Sequence, residues 1–117
     1  MADRFQVALF LLEMKRKAQA GFQFEERADN MATLMSLAIT RADAKTRIMG
    51  LTVEDYSSGP NVRDPKRPEQ ESWVFGVYVH DQLVYVKLSI PDDPERCVCV
   101  SFHFPKFPMT FPYRPKP

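Results

Sequence analysis

Ser72-Trp-Val-Phe-Gly-Val-Tyr-Val-His-Asp-Gln-Leu-Val-Tyr-Val-Lys-Leu-Ser-Ile90 is the stretch whose reading decides the fold. Two runs rich in β-branched and aromatic residues, 72–79 and 83–90, flank His80-Asp81-Gln82, a link of hairpin length. In the first run Trp73, Phe75, Val77 and Val79 alternate with Val74, Gly76 and Tyr78, so both faces carry bulk. A third run, 96–104, follows the turn Pro91-Asp92-Asp93-Pro94-Glu95. Consecutive strands with short links predict an antiparallel meander. Bulk on both faces predicts helices over one side and a partly apolar cleft on the other.

Upstream of this sheet the periodicity is helical. From Arg4 to Ala20, the residues Val7, Phe10, Leu11, Met14 and Ala18 recur at helical spacing, and Gly21 is placed to stop the helix. A second, shorter helix is expected over 27–38, with Met31, Leu34, Met35 and Ala38 on one stripe. Thr40 with Asp43 three residues on is an N-terminal capping signal for a third helix reaching about Gly50, and Thr52 with Asp55 repeats it for one further turn. The chain therefore reads as a single α+β domain over 1–117, with N-terminal helices packed on an antiparallel sheet of three or more strands. Its parts are a helical portion (1–56), an exposed loop with three prolines (57–71), the sheet (72–104) and a proline-rich aromatic arm (105–117).

Composition narrows the function classes. The 117 residues carry 16 Lys+Arg against 15 Asp+Glu, a formal charge of +1, which excludes a polybasic coat protein and an acidic disordered tail. Any basic site must be local. The longest apolar run, 7–12, is too short to cross a membrane and is followed at once by charges, so the reading is a cytoplasmic protein with no membrane partner. Cys97 and Cys99 stand two apart, which places them on one strand face as reduced core residues; a zinc site has almost nothing to build on, and neither a metal nor another cofactor is expected.

Few residues qualify for chemistry. His103 ends the last strand, on the face of Ser101 and the two cysteines if strict alternation holds, and histidine titrates closest to neutral pH. Tyr85 and Lys87 project from one face of the middle strand. Transfer of an RNA phosphate to its own 2′-hydroxyl needs a base, a cation at the phosphate and an acid for the leaving 5′-oxygen, and Tyr85, Lys87 and His103 match that set by type. Arg63, Lys66 and Arg67 in the loop and Lys106, Arg114 and Lys116 in the arm are candidate phosphate contacts. Trp73, Tyr78, Phe107 and Tyr113 are candidate base-stacking residues. No glycine-rich phosphate loop, His-Glu-x-x-His or Gly-x-Ser-x-Gly motif is present.

The ordered set Ile48-Met-Gly-Leu-Thr-Val-Glu-Asp-Tyr56, Ser57-Ser-Gly-Pro60, Trp73-Val-Phe-Gly76, Val84-Tyr-Val-Lys87, Val100-Ser-Phe-His103 and the Phe-Pro-Met-Thr-Phe-Pro-Tyr tail resembles toxins of the MqsR type across about residues 27–113. The resemblance implies a RelE-like fold. It also implies a bacterial type II toxin: a metal-independent mRNA interferase neutralised by a cognate antitoxin, with the ribosome a further candidate partner. Tyr85 and Lys87 match a tyrosine and a lysine of the family, and His103 falls at a catalytic lysine. Ser58 stands where the family has lysine and Val74 where it has glutamine, so either Arg63, Lys66 or Arg67 substitutes or the activity is altered. The residues also admit a second reading, a non-catalytic interaction module that docks a partner through its aromatic arm.

Overall fold

The structure, a computed structural model, describes residues 1–61 and 71–115. Helix α1 (Arg4–Ala20) starts at a capping box in which Asp3 and Gln6 bond each other's backbone N–H. It buries Val7, Phe10, Leu11, Met14 and Ala18, the stripe that the sequence spacing selects. Lys17 lies on the same buried stripe. Its ammonium donates to the Ile90 carbonyl at 3.2 Å and to Asp92 at 2.6 Å, so the charge has partners where the stem runs through apolar surroundings.

Gly21 ends α1 in extended backbone rather than in a left-handed turn, and the chain runs directly into strand β1 (Phe22–Phe24). Helices α2 (Ala28–Leu37) and α3 (Arg41–Met49) follow, the second with the Thr40/Asp43 capping box. A single 3₁₀ turn, Val53–Asp55, carries the Thr52/Asp55 box. Strands β2 (Tyr56–Asn61), β3 (Ser72–Val79), β4 (Gln82–Ser89) and β5 (Cys97–His103) complete the regular structure among the described residues.

The five strands form one sheet in the order β1-β5-β4-β3-β2. The class is α+β, but the sheet is mixed: β1 pairs parallel to β5, and the remaining pairs are antiparallel. The expected purely antiparallel sheet is corrected on that point, because three residues, Phe22–Phe24, are too few to show period-two patterning. The exposed loop expected at 57–71 is corrected too, since residues 57–61 belong to β2. Within that edge strand Gly59 adopts φ +119 and lies so close to β3 that a Cβ would meet the Ser72 carbonyl at 2.9 Å and Trp73 Cα at 3.0 Å. Only glycine fits there.

Register separates the two faces. Phe75, Val86 and Phe102 lie in one cross-strand row, and Trp73 pairs with Leu88; these residues join the helices in the hydrophobic core. The other face presents the row Val74, Lys87, Ser101 and the row Gly76, Tyr85, His103. Pairing shifts between Lys87, opposite Ser101, and Leu88, opposite Cys99, which leaves Val100 as an extra residue in β5. The bulge turns the strand over. Cys97 and Cys99 face the core while Ser101 and His103 face away from it, so the shared face expected for cysteines and histidine is corrected.

Asn30 of α2, fully buried, holds the bulged stretch. Its amide donates to the Val100 carbonyl at 3.1 Å and the Glu25 carbonyl at 3.0 Å, and its oxygen accepts from Phe102 N–H at 2.9 Å. Glu25 N–H donates to the Cys99 carbonyl just before it. The side-chain amide therefore continues the pairing of β5 where β1 has ended, with one donor and one acceptor placed as a parallel strand would place them.

Candidate active-site cleft

An open cleft of about 380 Å³ lies on the sheet face turned away from the core. Tyr85 and Lys87 of β4 and His103 of β5 all line it, together with Ser58, Val74 and Ser101. Strand register explains the convergence: Tyr85 sits opposite His103 and Lys87 opposite Ser101, and Val74 and Ser58 continue the Lys87 row outward. The polar side of the sheet is thus assembled from four strands.

His103 is fixed from two directions. Its ring stacks on Tyr85 with centroids 5.1 Å apart and planes within 11°. Nδ1 lies 2.9 Å from the Phe104 carbonyl, and because a carbonyl oxygen only accepts, the neutral ring carries its proton on Nδ1. Nε2 is then the nitrogen left to exchange a proton. Burial pushes the Tyr85 phenol above its ordinary value of 10.0, so at neutral pH it is a hydroxyl able to donate rather than a phenolate. Lys87 is half-buried in the cleft wall and has no hydrogen bond or ion pair among the described residues.

The arm supplies the outer wall. It runs from the end of β5 to the opposite edge of the sheet, where Ser57 Oγ donates to the Thr110 carbonyl at 2.8 Å. Lys106 donates to Asp29 at 2.8 Å and in turn holds that carboxyl below its usual range. Phe111 lies on Gly76, where a Cβ would come within 2.5 Å of its ring, and the Arg114 guanidinium covers Phe111 at 3.7 Å. Tyr113 reaches back to the N-terminus, donating to the Ala2 carbonyl and stacking on Tyr56 at 5.8 Å.

The structure does not bring every candidate to the cleft. Trp73 is buried on the core face, stacked on Phe10 at 4.4 Å, so it has no free ring face for a base. Tyr113 is held by Tyr56 and Ala2, with Arg4 over its ring at 5.1 Å. Lys106 and Phe107 do line the cleft. Arg63, Lys66, Arg67 and Lys116 lie outside the described residues, and Arg114 covers Phe111 and is not among the residues that line the cleft. Reading the sequence as strands alone missed Ser58, which entered only through the family comparison, and Asp29, whose contact with Lys106 spans 77 positions.

A larger groove of about 840 Å³ runs between α1 and the other end of the sheet. Its described lining includes Glu13, Glu71, Asp92 and Asp93 and neither Lys nor Arg, a poor setting for a phosphate. The smaller cleft holds Lys87, His103 and Lys106. Among the described residues no group of three or more His, Cys, Asp or Glu side chains is placed to hold a metal ion, and no helix is long and apolar enough to cross a membrane. No family model, curated protein or solved structure matches the chain.

Proposed function

We propose that the cleft is the active site of a metal-independent endoribonuclease, and that the chain is the toxin component of a type II toxin–antitoxin pair with an MqsR-type, RelE-like architecture acting in the bacterial cytoplasm. The observation that carries this reading is the meeting of Tyr85, Lys87 and His103 in one open cleft on the sheet face opposite the core. A second observation supports it: Ser58 and Val74, the positions at which the family has lysine and glutamine, line the same cleft.

The chemistry divides among the three groups by what each can donate or accept. His103 Nε2 takes the proton of the 2′-hydroxyl as that oxygen attacks the neighbouring phosphorus. Lys87 neutralises the charge that grows on the non-bridging oxygens, and the half-buried position strengthens that interaction relative to open water. Tyr85, kept as a hydroxyl by burial, donates its proton toward the leaving 5′-oxygen or holds the phosphate in line. The products are a 2′,3′-cyclic phosphate and a free 5′-hydroxyl. The substrate is mRNA, and the cognate antitoxin is the protein partner.

Purified protein incubated with long RNA in the presence of a chelator tests the reading. Cleavage that persists under chelator, with growth arrest on expression, is the expected result. Intact RNA both with and without ribosomes, together with harmless expression, refutes it and leaves the interaction module.

A further inference from the structure

Four aromatic residues of the sheet and arm are the candidates to hold a nucleobase, and two of them are engaged. Trp73 is stacked within the core and Tyr113 on Tyr56; Tyr78 is 51% exposed, with the Arg114 guanidinium 5.6 Å from its ring, and is not among the residues that line the cleft. Phe107 is different. It is 82% exposed yet lines the cleft, in the segment that leaves β5 directly after His103. An apolar ring held in water at the mouth of a polar cleft gains nothing for the fold.

Its backbone is nevertheless held. Lys106 is tied to Asp29, Thr110 to Ser57, and Pro105 and Pro108 on either side restrict the chain's torsions. The ring is therefore presented from an anchored segment, which lowers the entropy lost when a partner stacks on it. Every nucleobase has a π-face of similar size, and RNA is read chiefly where its bases are unstacked.

We propose that Phe107 is the stacking platform for the base adjoining the scissile phosphate, setting which nucleotide is cut and restricting the site to unpaired RNA. The inference rests on the nuclease reading. Phe107 acts as a positioning residue: it orients the nucleotide whose phosphate lies between Lys87 and His103 and takes no part in proton transfer.

The test uses a short, fluorescein-labelled, fully 2′-O-methylated single-stranded oligonucleotide pool of mixed sequence, which lacks the attacking hydroxyl. Binding is followed by anisotropy for the wild type, Phe107→Ala and Phe107→Trp, and cleavage of natural RNA is measured in parallel. Phe107→Ala should weaken binding about tenfold, the scale of one base–aromatic stack, and lose the nucleotide preference at the cut site. Phe107→Trp should restore affinity, and its indole fluorescence should be quenched by the oligonucleotide; the same pool annealed into duplex should compete poorly. If the wild type cleaves RNA and Phe107→Ala binds and selects as the wild type does, the platform falls and the nuclease reading stands. If the wild type neither binds the pool nor cleaves RNA, both fall.

Discussion

Replacing Asn30 with alanine removes one side chain and leaves two wholly buried backbone groups, the Val100 carbonyl and the Phe102 N–H, without their partner. The Glu25 carbonyl loses a third, partly buried bond. An orphaned buried donor or acceptor costs about 1–3 kcal/mol, so the two buried groups together cost roughly 2–6 kcal/mol. That is a large part of the ~5–15 kcal/mol by which domains are stable. At about 4 °C per kcal/mol for a chain of this size, the midpoint of thermal unfolding should fall by about 8–24 °C. Circular dichroism melts with a urea titration at constant slope would measure it. Asn30→Asp adds a discriminating control. One oxygen still accepts from Phe102, but the other faces the Val100 carbonyl with no hydrogen to offer, so at pH 7 this variant should be less stable than Asn30→Ala. Burial raises the folded-state pKa of the introduced carboxyl above its unfolded value; its penalty is therefore greatest at neutral pH and shrinks as pH falls and the group becomes protonated. A loss under about 0.5 kcal/mol for Asn30→Ala would refute the assignment of this amide as the support of the bulge.

Two further outcomes follow from the packing. Gly76→Ala places a methyl within 2.5 Å of the Phe111 ring and should cost about 1–3 kcal/mol while freeing the arm, which limited trypsin digestion would detect as faster cutting after Lys106; unchanged digestion contradicts the contact. Burial pushes the Cys97 thiol up to about 12 and raises Cys99 as well, so neither should react with a thiol reagent at pH 8 in the folded protein, and both should react across the unfolding transition.

The parts legible in the sequence are those fixed by local spacing. The stripe of α1, the Thr40/Asp43 and Thr52/Asp55 boxes and the hairpin of β3 and β4 each depend on residues within a turn or a strand of one another. Strand β2 escaped because one of its faces lines a polar cleft: Ser57, Ser58 and Asn61 give Tyr56–Asn61 no apolar alternation. Strand β1 is stabilised by its register with β5, not by its own composition. The bulge at Val100 depends on Asn30, 70 positions away, and without it period-two counting assigns the cysteines to the wrong face. Counting succeeded for Tyr85, Lys87 and His103 because the first two lie on one side of the displaced residue in register and His103 lies beyond the bulge with Ser101. Trp73 shows the opposite case: its side chain belongs to the core row, opposite Leu88 and stacked on Phe10, and not to the cleft.

The most direct test of RNA cleavage in this cleft compares the ends made by the wild type and by His103→Ala from one RNA under chelator, with thermal melts of both proteins alongside. The wild type should leave 2′,3′-cyclic phosphate and 5′-hydroxyl ends, and the variant should melt like the wild type but cut at a small fraction of its rate. Intact RNA with the wild type, 3′-hydroxyl ends, or a folded His103→Ala that cuts as fast as the wild type would contradict the account.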